Sequence, residues 1–124
     1  MPETALVYGP SLADYDLGPQ HPLRPERVTL SVSLMRAYEL LGDGPGQARV
    51  IAPDPAPDAD LLLVQAVEYL EAVRRSSAPP YPEDPVHGLG TGDNPVVPRM
   101  HEISALICGG IFMFFIKNKI EGGL

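Results

Sequence analysis

The chain has 124 residues, 44% of them apolar, and a formal net charge of −7. That apolar content can bury one core, while the acidity excludes the basic face that nucleic acid or an anionic membrane surface requires. Cys108 is the single cysteine, which rules out an internal disulfide and fits a reducing cytoplasm.

The opening MPETALVYGP lacks a basic start running into an apolar core, so it does not read as a signal peptide. Residues 4–9, TALVYG, form a short apolar strand closed by Gly-Pro. A proline-rich loop follows over 18–25. The stretch PERVTLSVSLMRAYELLG (25–42) predicts a helix, with Pro25 in its first turn and Glu26 at its positive end. Val28, Val32 and Met35 share one face, widened by Leu34, Ala37 and Leu41, and Gly42 ends the helix. ARVIAP (48–53) is a second strand stopped by Pro53. Asp58 stands where a helix cap would sit, ahead of a helix over 61–75 with Arg74 and Arg75 at its negative end. Residues 76–98 are a long loop with six prolines, and loops of that length are usually functional or disordered. MHEISALICGG (100–110) opens another helix.

The last residues differ from the rest. Residues 1–110 hold seven Arg and no Lys, whereas residues 111–124 hold two Lys, no Arg and all three Phe (Phe112, Phe114, Phe115). Two readings stay open: a short apolar helix with a polar end, or foreign or frameshifted sequence after Gly110, and the composition favours the second. The longest apolar run, ALICGGIFMFFI (105–116), has 12 residues, against about 20 for a membrane span.

Strand, helix, strand, helix, long loop, helix is the order of an α/β fold with a parallel sheet. Two strands cannot make a covered parallel sheet, so the fold reads as an opening portion, truncated.

Four segments point to a family. YDLGPQHPLRPER (15–27) resembles the first active-site loop of the histone deacetylase superfamily, roughly Gly-x-x-His-Pro-x-x-Pro-x-Arg, and is most similar to the bacterial acetoin utilization branch. DADLLLVQAVEYLEAVRRSS resembles a helical region that usually carries His-Ser or His-Asp before Tyr-Leu or Tyr-Ile. GTGDNPVVPRM resembles the Gly-x-Asp-x-Pro-Val-Phe loop, and ISALICGG the start of the helix after it. The resemblance covers residues 4–110, read as the N-terminal part of a deacetylase-like domain, with 111–124 as an atypical tail.

The resemblance implies an arginase-like α/β fold and a zinc-dependent deacetylase that hydrolyses acetyl-lysine or a related acetylated amine. In such enzymes the metal activates water and polarises the carbonyl. A His pair and a Tyr handle the proton and the oxyanion. Onto this chain it carries Arg27 as the arginine beside an acetate-release channel, where a buried guanidinium would bind a carboxylate through paired hydrogen bonds. His21 and Pro22 match the loop shaping the pocket wall. Asp93 matches a rim aspartate that accepts hydrogen bonds from the substrate backbone.

On composition alone these residues have plainer readings: Arg27 paired with Glu26 or another surface acid, His21 hydrogen-bonded to backbone inside a loop, Asp93 as a turn residue. The zinc ligands, the His pair and the Tyr of the family lie beyond the Gly-Gly helix, and residues 111–124 contain no His, Asp, Cys or Tyr. Gln65 and Ala66 stand where a His and a polar residue are usual, and Val97 replaces a Phe. Another metal site from His21, His87, His101 and Cys108 is disfavoured by their spacings of 66, 14 and 7. The expectation is therefore a chain that binds no zinc and is inactive alone. The alternative is a non-catalytic fragment that self-associates through its apolar tail.

Overall fold

The computed structural model describes residues 4–121, with side chains described through residue 110. The expectations for the side chains of 111–124 lie outside those residues. Strand β1 (Ala5–Val7) leads into a 3-10 turn (Pro10–Asp14) and then helix α1 (Glu26–Ala37). Strand β2 (Arg49–Ile51) pairs with β1 in parallel, Leu6 opposite Val50. Helices α2 (Asp58–Leu61) and α3 (Val67–Ser76) follow, then a 3-10 turn (Pro85–His87) and helix α4 (Met100–Glu121). The mixed α/β class and the parallel pairing agree with the sequence. Both strands are shorter than expected: the pairing runs from Ala5 opposite Arg49 to Val7 opposite Ile51.

The helix expected over 61–75 is in fact two. Helix α2 stops after one turn, and Ala66 is extended (φ −71°, ψ 149°) before α3 begins. The chain turns between the two helices, and Asp58 pairs with Arg74 across the turn. On one continuous helix these residues would stand about 24 Å apart. Asp58 is accordingly the first residue of α2, not its cap, and the break leaves Leu63 and Val64 more than 70% exposed.

Helix α1 ends at Ala37, before the expected Gly42. Glu39 takes the left-handed conformation (φ 55°) that closes a helix. Its N–H donates to the Arg36 carbonyl and the Leu40 N–H to the Met35 carbonyl, each at 2.9 Å, a Schellman closure with Glu in glycine's place. Gln47 braces the turn, donating to the Glu39 carbonyl (2.8 Å) and accepting from the Gly44 N–H (2.9 Å). Of the expected apolar face of α1, Val32 is buried and Met35 and Leu41 are half-buried, while Val28, Leu34 and Ala37 are exposed.

The core lies between α3, α4 and the loop joining them. One cluster joins Ala72, Val73, Leu89, Val97 and Met100, and a second joins Ala56, Leu61, Leu70 and Ala105. The long loop is ordered by hydrogen bonds. Buried Ser76 donates to the Pro82 carbonyl (2.7 Å), Asp84 and Leu89 exchange backbone bonds, and the Asn94 amide donates to the Gly88 carbonyl (2.9 Å). Val97, the departure from Phe, is a core residue.

Gly109 and Gly110 bring α4 against the segment after β2. The Ala56 N–H donates to the Ala105 carbonyl of α4 (2.9 Å), and a Cβ on Gly109 would fall on the Asp54 carbonyl. Among the described residues, no helix is long and apolar enough to cross a membrane.

Candidate functional site

The loop before α1 is built around Arg24. Gly18 has φ 97°, and its N–H donates to the Asp16 carboxylate (2.9 Å). Its carbonyl accepts from the His21 N–H (3.1 Å) and from Arg24 Nη1 (2.9 Å). Arg24 Nη2 pairs with Glu26 Oε1 at 2.9 Å, so one guanidinium ties the turn to the first residue of α1. The helix-start N–H and the Arg24 guanidinium hold the Glu26 carboxyl below its usual range. The expected Arg27–Glu26 pair is therefore replaced by Arg24–Glu26. Sequence reasoning missed Arg24; the signal was an Arg flanked by Asp16 and Glu26 within PLRPER, where proline leaves few chain conformations.

His21 joins two loops. Its Nδ1 accepts from the Leu23 N–H (3.0 Å), and its Nε2 lies 3.2 Å from the Asp93 carbonyl. With Nδ1 accepting from Leu23, Nε2 is the ring nitrogen placed to donate to the Asp93 carbonyl. Two segments 72 positions apart are held side by side by one ring. His21 is half-buried and bonded to backbone at both nitrogens. The Asp93 side chain is exposed, as a rim acceptor would be, and Pro22 is exposed beside His21.

Arg27 differs from its expectation. It sits exposed in the first turn of α1 and makes no ion pair among the described residues. The burial that a channel arginine requires is not supplied by those residues. His21 and Asp93 are thus brought together, while Arg27 stands apart, facing solvent.

The four candidates for an alternative metal site do not converge. His87 Nδ1 lies 2.9 Å from Asp84 Oδ2, and this contact, with Arg75 at 2.9 Å, holds the Asp84 carboxyl below its usual range. His101 and Cys108 line a cleft between α3 and α4, which His21 and His87 do not reach. Among the described residues, no three His, Cys, Asp or Glu side chains are grouped to hold a metal ion. The zinc implied by the resemblance therefore has no fitting donor set there, and no chemical step is derived through it.

No protein-family model matches the chain. Curated relatives do. The acetoin utilization protein AcuC of Bacillus subtilis (strain 168) is 33% identical over 112 residues, covering 89% of this chain and 28% of that protein. AcuC of Staphylococcus aureus (strain MSSA476) is 34% identical over 110 residues, covering 87% of this chain and 27% of the relative. AcuC of Staphylococcus xylosus is 31% identical over 109 residues. The chain is, by sequence, a relative of the acetoin utilization proteins, of which it spans a little over a quarter of the length.

Proposed function

We propose that residues 4–110 supply the entrance loops of a deacetylase of the acetoin utilization type, an enzyme that hydrolyses acetyl-lysine or a related acetylated amine on an arginase-like fold. The observation that carries this reading is the His21 bridge, which seats the first loop against the Asp93 loop. In this reading His21 and Pro22 shape the pocket wall, and the exposed Asp93 carboxylate accepts hydrogen bonds from substrate amides. Arg27 offers a permanent cation to the carboxylate product once further chain covers it. Metal binding and proton transfer belong to groups outside the described residues, so this chain alone turns over no substrate. The test is a fluorogenic acetyl-lysine peptide assay on purified chain with zinc added, alongside metal analysis. No turnover and no stoichiometric zinc is expected; turnover with one bound zinc per chain would overturn the reading.

A second reading has its own support. Leu30, Leu34, Leu63 and Val64 are each at least 59% exposed, and among the described residues two strands form the sheet. Uncovered apolar faces and strand edges favour association. On this ground the chain self-associates: size-exclusion chromatography should show species larger than a monomer that grow with concentration. A clean monomer throughout would remove this reading.

A further inference from the structure

Both arms of the Arg24 guanidinium are in use, and they reach different parts of the chain. Nη1 donates to the Gly18 carbonyl and Nη2 to Glu26 Oε1, each at 2.9 Å. The Gly18 carbonyl also accepts the His21 N–H (3.1 Å), so one oxygen receives both Arg24 and the backbone of His21. The contacts then run on to the second loop. His21 Nδ1 accepts from the Leu23 N–H at 3.0 Å, and His21 Nε2 lies 3.2 Å from the Asp93 carbonyl. The other arm ends on Glu26, the first residue of α1, which makes the helix the support of the turn. Pro19, Pro22 and Pro25 stiffen this loop, but they have no N–H with which to tie it to anything. The Arg24 side chain is 31% exposed and that of Glu26 59%, so as a bare ion pair they stabilise the fold little. What the pair does is fix geometry. A guanidinium is a planar fork that holds two acceptors at once, whereas a lysine ammonium is a point charge on a flexible stem.

We propose that Arg24 is a positioning residue for the entrance: it fixes the Gly18 turn against α1, and through that turn sets where His21 holds the Asp93 loop. This role rests on the entrance-loop reading above, and Arg24 performs it without touching substrate. In that reading Asp93 binds the substrate backbone equally in the ground state and the transition state. A displaced Asp93 therefore raises KM and leaves kcat in place. A residue that merely keeps the chain folded behaves differently, because its loss lowers the active fraction, and so kcat, at unchanged KM.

Two measurements test this. In the full chain, NMR exchange with solvent water should show the His21 and Leu23 amides exchanging about fivefold or more faster in Arg24→Lys. The Ala56 amide, bonded to the Ala105 carbonyl in the core, should keep its rate. The second measurement uses the Bacillus subtilis relative with residues 4–110 in place of its matched segment, assayed on an acetyl-lysine peptide. There Arg24→Lys should raise KM about fivefold or more, with kcat held within about twofold. Glu26→Gln weakens one arm only, at an exposed side chain, and should show both changes at smaller size. Unchanged His21 and Leu23 exchange, or an unchanged KM in an active chimera, would overturn the proposal and leave the entrance reading standing. A fall in kcat at unchanged KM would overturn it too. A chimera with no hydrolysis before any substitution would instead bring down the entrance reading, and the positioning role with it.

Discussion

At the residue scale, histidines divide by what their ring nitrogens meet. His21 has both nitrogens matched to backbone groups, so it acts as a staple between loops. His101 has a buried nitrogen with no partner, and its burial, seconded by Arg74, lowers its pKa from the ordinary histidine value. A histidine depressed on folding binds fewer protons in the folded than in the unfolded state between the two pKa values. Stability therefore rises with pH in that window, and is lost as pH falls from about 6.5 toward the folded value. Urea denaturation between pH 7.5 and 5.5, roughly the span of a histidine titration, should show a falling midpoint in the wild-type chain and a flatter one in His101→Gln. Identical pH slopes would remove His101 as the cause. The lowered carboxyls of Glu26, Asp58, Asp84 and Glu102 act at more acid pH, as pH falls through their folded pKa values. The two effects are therefore separable.

At the level of elements, hydrophobic pattern made the strands and the starts of α1 and α4 legible. TALVYG and ARVIAP are β-branched or aliphatic runs closed by Gly or Pro, and such runs have few other uses. The break between α2 and α3 was not legible, because the tertiary pair Asp58–Arg74 that spans it leaves no mark in local pattern. LLLVQAVEY has the apolar content of one long helix, and local pattern does not show a contact between residues 16 positions apart. The end of α1 was misplaced for a related reason. Glu39 occupies the left-handed position that composition assigns to a glycine, and the Gln47 brace holds it there. The Gly-Gly of α4 has a packing role that only the folded chain shows. Gly109→Ala places a methyl on the Asp54 carbonyl and close to the Ala56 N–H, both backbone groups with little room to move. It should destabilise the chain by about 3 kcal/mol or more. Gly92→Ala, with no atom within 4 Å of the added carbon, should cost far less. Equal midpoints for the two variants in urea denaturation would contradict this packing.

On the scale of the whole molecule, the core lies under the long loop, and the sheet is left thinly covered. Leu89 and Ile103 are almost fully buried, while Val50 in β2 remains 43% exposed. The candidate site was legible in part. The family resemblance singled out His21 and Asp93, and folding sets His21 Nε2 3.2 Å from the Asp93 carbonyl. Arg27 was placed correctly at the helix start, but the burial expected of it depends on chain that these residues do not include. Arg24 was invisible because its work is done by geometry: one guanidinium contacts Gly18, Glu26 and, at 3.8 Å, Asp16.

The most direct test of the entrance-loop account puts these loops into a full-length setting. Residues 4–110 would replace the matched segment of the Bacillus subtilis relative, which extends well beyond it. The readout is hydrolysis of an acetyl-lysine peptide by the chimera and by its Asp93→Ala variant. The account predicts an active chimera in which Asp93→Ala lowers kcat/KM by about tenfold or more, the loss of a charge-assisted hydrogen bond to substrate. A folded chimera whose activity is unchanged by Asp93→Ala, or one with no hydrolysis, would contradict it.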